Sequence, residues 1–330
     1  NMIDNDNPVS KDIPELFHYT NVSAFSNIYK EKIFRATYYE YLNDKSELRR
    51  FKLKVRECIR PLIRKYFCMR KQSDMQFSKA VNRDGGIDAL VDQEAAMLSD
   101  KLHEVTFGEG VYEPFVCSFC AHGAESYEAK HGLLSQWRAY AAGGGVAIVL
   151  DTRGISERMQ HEQEIFAHPI NHIGNVDYDN DDEKIKKDFS EVFKYLPEII
   201  DKFYANEQPP IEKIFERFII ASTLVKHHAF CEEKEVRIVV APRPNKDSFL
   251  HEPAHSAKPS KTIRYMQRGN REVRYIELFG DAPLPIKRVI IGPSQIQKLT
   301  CQSVIDLVQD SNIEVVMSDT PFLGELRGRS

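Results

Sequence analysis

The stretch FCEEKEVRIVV at residues 230–240 constrains this chain most. Glu233, Glu235 and Arg237 alternate with Val236, Ile238 and Val240, so a strand here sends the charged set to one face and the apolar set to the other. The expectation is a half-buried strand with a solvated, salt-bridging face. Two carboxylates then stand side by side at the edge of a core.

Other segments supply neighbours for that strand. ELFHYT (15–20) reads as a short strand, followed by Asn21 as the cap of a helix with Ala24, Phe25, Ile28 and Tyr29 on its apolar side. PFVCSF (114–119) is a strand, residues 126–142 a helix and VAIVLD (146–151) another strand. The triple glycine at 143–145 terminates the helix; it is not a phosphate loop, because no Gly-Lys-Ser/Thr follows and a strand comes next. Residues 184–229 read as mostly helical. At the end, IKRVIIGP (286–293), a helix over 294–310 and IEVVMSD (313–319) form a βαβ element within 280–322. The fold expected is α+β with mixed α/β character, one unit over 15–322.

A helix is also expected over 45–71, interrupted at Pro61. It carries eleven Lys or Arg against Glu47 and Glu57, while Leu48, Phe51, Val55, Ile59, Leu62, Ile63 and Tyr66 follow the helical period. Its cationic side is either a solvated face or a phosphate-backbone contact, with Arg49, Arg50, Lys54 and Arg56 as the candidate nucleic-acid residues. Residues 72–113 complete a helical insertion, with a turn at 82–86. The acidic run DYDNDDE (177–183) lacks the Gly and Glu that a calcium loop needs at its sixth and twelfth positions, and reads as a solvated loop.

The 330 residues, 42% apolar and 28% charged, can bury a sizeable core, and a net charge of −4 argues against a surface built wholly for nucleic acid. No apolar run approaches the ~18 residues that span a bilayer. Asp4, Asp6, Asp12 and Glu15 stand where a signal peptide is apolar, so a cytoplasmic location is expected, with Asn1 ahead of Met2 read as a tag remnant. Six scattered cysteines suit reduced thiols; CSFC at 117–120 has no second pair to complete a zinc site, and no metal is expected.

LFHYTNVSAFSNI, YLNDKSE (41–47), LSQWRAYAAGGGVAI (134–148), EKEVRIVV (233–240) and the closing IIGP and IEVVMSDTPF resemble, in that order, the bacterial family named domain of unknown function 2971. That family name carries no activity. A first strand ending in His-x-Thr, a helix directly after it and a late strand bearing Glu are similar to the ADP-ribosyltransferase superfamily. This resemblance implies ADP-ribosyltransferase-like central sheets with helical insertions, and NAD as substrate. It implies that His18, with Tyr19 and Thr20, binds the nicotinamide-side ribose, that Glu235 holds its 2′-hydroxyl and that Glu233 stands near the acceptor. Tyr38 or Tyr39 is the candidate to stack on nicotinamide.

Breaking the ribose–nicotinamide bond puts positive charge on the sugar, which an ionised carboxylate stabilises more in the transition state than in the ground state. Arg237, one pleat repeat from Glu235, helps keep that carboxylate ionised. Arg138 is the candidate for the pyrophosphate, and Asn43 and Asp44 either cap the basic helix or join the site. The function expected is NAD-dependent ADP-ribosyl transfer or NAD glycohydrolysis, in a toxin-like or phage-defence effector. Two alternatives stand beside it. One is a metal-dependent nuclease or phosphoesterase, with His227 and His228 joining Glu233 or Asp44; the other is a nucleotide-sensing module without turnover.

Overall fold

The computed structural model describes residues 8–42, 47–83, 85–107, 113–141, 144–242 and 258–321. The chain opens with α1 (Pro8–Asp12), β1 (Glu15–Asn21), α2 (Val22–Glu31) and β2 (Ile33–Tyr38). Asn21 caps α2 as its sequence predicts, its side chain accepting a 2.8 Å hydrogen bond from Ala24 N. A helical insertion follows: α3 (Glu47–Ser73), α4 (Met75–Arg83) and α5 (Ile87–Phe107). Then come β3 (Phe115–Cys120), α6 (Tyr127–His131), α7 (Leu134–Tyr140), β4 (Gly145–Asp151), α8 (Thr152–Ile165), β5 (Ile170–Asn175) and β6 (Asp177–Tyr178). Helices α9 (Asp182–Asp188), α10 (Ser190–Tyr204) and α11 (Phe215–Leu224) lead through β7 (Val225–Lys226) and a 3-10 turn, His228–Glu233, into β8 (Glu235–Ala241). The hairpin β9 (Arg264–Arg268) and β10 (Arg271–Phe279) precedes β11 (Ile286–Ile291), α12 (Gln297–Val308) and β12 (Glu314–Met317).

One open sheet organises these elements, in the order β12-β11-β4-β1-β3-β2-β10-β9, with β8 paired to β3 and β5 to β8. Its ladders are antiparallel except for β11 and β12, which run parallel with Ile290 opposite Val316, giving the expected βαβ element. The architecture is mixed α+β. Among the described residues, no helix is long and apolar enough to cross a membrane.

The sheet forks at β3. One side of β3 pairs along its whole length with β8, from Phe115 opposite Val240 to Cys120 opposite Glu235. Its other side is shared: Cys120 pairs with Phe17 of β1, whereas Phe115 and Val116 pair with Tyr38 and Thr37 of β2. Between those contacts, β1 and β2 diverge and leave a gap alongside Cys117, Ser118 and Phe119.

Four expectations need correction. The acid-bearing strand starts at Glu235, not before it, and every residue of β8 is buried, because β3 and β5 flank it while α11 covers one face and the sheet core the other. Helix α3 runs unbroken through Pro61; Phe51, Val55, Ile59 and Ile63 are fully buried against α5, α10 and α11, and that packing outweighs one missing backbone bond. The helix expected over 126–142 is broken at Gly132, whose φ of 81° ends α6. The acidic run is structural rather than solvated: Asp177 is buried and pairs with Lys184, Asp181 caps α9, and Asp179 and Asp182 pair with Arg50 and Lys54 of α3.

The chain's one tryptophan, Trp137, lies buried against Gly132 and Gly292, with its Nε1 donating to His131 O at 3.0 Å. A Cβ at Gly132 would collide with the indole, and its φ is one that side chains resist. Gly132→Ala should therefore lower Tm by about 2 °C or more, whereas Gly123→Ala, with only ordinary contact at Ser126, should leave it unchanged. Equal thermal melting of the two variants would contradict this packing.

Candidate active site at the fork

The gap between β1 and β2 opens into a cavity of about 190 Å³. Strand β1 supplies Phe17, His18 and Tyr19; β2 supplies Arg35 and Thr37; β3 supplies Val116 through Cys120; β8 supplies Glu235 and Arg237. Gln136 and Tyr140 of α7, Tyr41, Leu42, Lys226, Glu233 and Arg268 complete the wall. Side chains directly opposite in a ladder share a face, so the registers place Phe17, Tyr19, Thr37, Ser118, Cys120, Glu235 and Arg237 on one side of the sheet. His18 belongs to the other. It reaches the same cavity because the sheet is split there.

At the centre is a buried charge network. Arg237, 1% exposed, grips Glu235 with Nε to Oε1 at 2.8 Å and Nη2 to Oε2 at 2.9 Å, and donates Nη1 to Thr223 O at 2.6 Å. Lys226 Nζ bridges the two acids, 2.9 Å from Glu235 Oε2 and 2.8 Å from Glu233 Oε2, with the Phe230 ring centroid 4.7 Å away. Burial by itself would raise the Glu235 carboxyl, but Arg237, Lys226 and the Ser118 side chain reverse that and hold it at about 2. Burial also opposes the Lys226 charge, yet the two carboxylates keep its ammonium well above the ordinary lysine value.

Glu233 precedes the strand and reaches the network through a local backbone device. It ends the 3-10 turn, and Lys234 follows with φ 43° and ψ 54°, a left-handed conformation that costs a non-glycine residue energy. That kink brings Glu233 onto Lys226. Among the described residues, Glu233 Oε1 has no hydrogen-bond partner, so this carboxylate, unlike Glu235, retains an open oxygen.

His18 has a structural and a chemical aspect. Its Nδ1 lies 3.2 Å from Ser118 O, a carbonyl beside the gap, so the imidazole stands in for a missing ladder bond. Burial lowers its pKa against the opposing Ser118 carbonyl, leaving a neutral ring that donates through Nδ1 and keeps Nε2 as an acceptor. The tyrosine after it is anchored elsewhere: the Tyr19 hydroxyl accepts from Leu133 N at 2.8 Å and lies 2.9 Å from His122 Nε2.

The structure therefore brings His18, Tyr19, Glu233, Glu235 and Arg237 together. Thr20 does not line the cavity; it lies near the end of β1, opposite Val146. Tyr38 and Tyr39 are not in it either. Both are buried, packed on one another and on Phe115 and Phe107: Tyr38 ends β2 opposite Phe115, and Tyr39 opens the 3-10 turn Tyr39–Tyr41. The tyrosines that line the cavity are Tyr19, Tyr41 and Tyr140. Arg138 is exposed on the far side of α7, since Trp137 anchors that helix and the i, i+4 pair Gln136 and Tyr140 faces inward. Asn43 and Asp44 lie outside the described residues.

Lys226, the hub of the network, gave no signal in the sequence, as it sits at the end of an apolar helix in a two-residue strand. The helix α3 does present its basic face, but much of it is met within the molecule. Arg50 pairs with Asp179, Lys54 with Asp182, Arg60 with Asp92 and Arg64 with Asp88, while Arg56 donates to Asp92 O and Arg49 stays exposed. The stripe Asp88, Asp92 and Asp100 on α5 is the signal that reveals this pairing.

Three potential metal ligands do come together among the described residues, Asp179, His227 and His228, with ligand atoms within 4.8 Å of one another. Glu233 is not among them. Asp179 Oδ1 accepts from His228 N at 2.9 Å and lies 3.0 Å from His228 Nδ1, and His227 Nδ1 accepts from Ala229 N at 3.1 Å. These hydrogen bonds also shape the 3-10 turn at its start.

Removing the Glu235 charge leaves two buried cations underbalanced. Glu235→Gln should lose about 3–5 kcal/mol of stability at pH 7 in urea. The native Glu235 carboxyl titrates below its ordinary value of 4.5, so its stabilisation is present above that pH and is lost as pH falls toward about 2. The gap between wild type and variant should close over that window. Equal urea midpoints at pH 7 would contradict the network.

A family model described as "Protein of unknown function (DUF2971)" matches residues 136–238, a span that includes Gln136, Tyr140, Lys226, Glu233, Glu235 and Arg237 of the cavity wall. No curated protein and no solved structure matches the chain. The family match supports the resemblance to that family of unknown function.

Proposed function

We propose that the fork cavity binds a nicotinamide dinucleotide and cleaves its ribose–nicotinamide bond, passing the ADP-ribosyl group to a nucleophilic acceptor or to water. The observation that carries this reading is a cavity with two carboxylates beside a neutral histidine and no activated nucleophile. Burial keeps the Cys117 thiol near 12 and Cys120 well above its ordinary value, so neither supplies thiolate. Lys226 is held as the ammonium, which rules it out as an amine nucleophile. What remains is electrostatic: a carboxylate beside a sugar that becomes cationic as neutral nicotinamide departs with the bonding electrons.

In this reading Glu233 keeps the place near the acceptor that the superfamily resemblance gives it and also takes the sugar-facing part given to Glu235. Glu235, saturated by Arg237 and Lys226, is the anchor that fixes the cations. Glu233, with its open oxygen, faces the sugar and receives the proton of the attacking hydroxyl or water. His18 positions the ribose through Nε2 while its Nδ1 holds β3.

Incubation with NAD, with and without cell lysate and RNA, followed by quantification of free nicotinamide, tests the reading. Glu233→Gln should lower release by about a hundredfold at a smaller cost in stability than Glu235→Gln, because its carboxylate holds Lys226 alone, and chelator should have no effect. His18→Ala should reduce turnover at a smaller cost in stability than Glu235→Gln. No nicotinamide release by the wild type in any of these mixtures removes the proposal. Activity that needs added Mg²⁺ or Mn²⁺ and vanishes with chelator replaces it with the phosphoesterase reading.

A further inference from the structure

Gln136 of α7 is 5% exposed and lines the fork cavity, yet its side-chain amide shares no hydrogen bond with any described residue. Gln297, by contrast, donates Nε2 to Ser318 O at 2.8 Å and to Ile291 O at 3.2 Å. An enclosed amide left open is uncommon, because withdrawing its donors and acceptor from water without partners costs stability. The cavity is where the partners of Gln136 can come from.

The helix that carries it is fixed. Leu133 N donates to the Tyr19 hydroxyl at 2.8 Å just ahead of α7, and the Trp137 ring stands edge-on to Tyr19 with centroids 4.8 Å apart. Trp137 is thereby anchored in the core, and the i, i+4 pair Gln136 and Tyr140 lines the cavity, about 6 Å apart along the helix axis. Tyr140 in turn borders the charge network: burial raises its hydroxyl, and Glu233 is the strongest of the charges acting on it, in the same direction. One wall of the cavity therefore runs from an open amide, past an aromatic ring, to the carboxylate with an open oxygen.

We propose that Gln136 and Tyr140 form a recognition site for a planar ring bearing a carboxamide, which in the dinucleotide is the nicotinamide. Naming that ring rests on the proposed function; the need for a ligand with both a donor and an acceptor does not. The Gln136 amide offers one carbonyl acceptor and two N–H donors, and a primary carboxamide offers the same set in reverse, so the two pair through two parallel hydrogen bonds. A carboxylate offers acceptors alone: it leaves the Gln136 carbonyl unpaired and brings a negative charge toward Glu233. The Tyr140 ring supplies a face for the pyridinium, whose positive charge suits both an aromatic face and a nearby carboxylate. Adenine also pairs with a glutamine amide along one edge, but it carries no positive charge for the ring and the carboxylate to hold. The carboxamide and the ring nitrogen of nicotinamide are separated across the ring, so seating the amide on Gln136 directs the ribose bond toward Glu233.

Ligand-observed NMR titration of the whole chain with nicotinamide, nicotinic acid and adenine, each to millimolar concentration, tests the site, with NAD and its nicotinic-acid counterpart compared as substrates. The wild type should bind nicotinamide about tenfold or more tighter than either of the other two, and should favour NAD over the acid dinucleotide by a similar factor in kcat/KM. Gln136→Met keeps length and bulk. It should weaken nicotinamide by about tenfold, abolish the preference for NAD over the acid dinucleotide, and keep the wild-type Tm, since no protein hydrogen bond is lost. Tyr140→Leu should weaken nicotinamide and nicotinic acid alike. The site is overturned if nicotinamide binds no tighter than nicotinic acid or not at all, if adenine binds in its place, or if Gln136→Met melts lower or keeps the wild-type affinity for nicotinamide. Gln136-dependent nicotinamide binding without release from NAD would sink the cleavage reading and leave the site standing. NAD cleavage with an unchanged preference over the acid dinucleotide in Gln136→Met would do the reverse.

Discussion

Arg237 is a guanidinium with almost no exposure in the middle of a sheet, and the geometry of the site follows from the need to compensate it. A buried cation of that size needs a carboxylate gripped in two places and further acceptors for its remaining donors. Glu235, two residues earlier on the same face, supplies the first, and Thr223 O at the end of α11 supplies another. Placing Lys226 against the same carboxylate then calls for a second acid, which Glu233 provides. The result is a rigid network of fixed charges, preorganised as a transition state with developing charge demands.

The network becomes a site because the sheet is forked. Had β1 paired along all of β3, the gap beside Cys117, Ser118 and Phe119 would be closed, and His18 would face away from Glu235 across an unbroken sheet. Divergence of β1 from β2 creates a gap whose Ser118 carbonyl needs a donor, and His18 answers that need. The same divergence lets residues from opposite faces meet in one cavity. Structural and chemical roles of His18 are thus two uses of one side chain, one at each ring nitrogen.

Much of the fold was legible in local patterns. Short apolar runs located β1, β3, β4 and β11, Asn21 marked the start of α2, and the terminal βαβ unit was readable from its apolar strands alone. The acids and Arg237 were legible through their alternation, and His18 through its place at the end of the first strand. What stayed hidden depends on long-range pairing. Alternation in 233–240 says nothing of the two flanking strands that bury β8 completely, nor of the left-handed Lys234 that ends the pattern early. Tyr38 and Tyr39 could be read as ligand-stacking rings only while their packing on Phe115 and Phe107 was unknown.

The central claim is that Glu235 is a permanently ionised anchor while Glu233 is the carboxylate that meets the ligand. A carbon-13 NMR titration of the glutamate side-chain carboxyls, with assignments fixed by single substitutions, addresses it directly. The account predicts that the Glu235 resonance does not titrate until about pH 2, far below its ordinary value of 4.5, and that adding NAD shifts the Glu233 resonance while leaving Glu235 in place. A Glu235 carboxyl that titrates in the ordinary range, or that moves on NAD addition while Glu233 stays still, would contradict it.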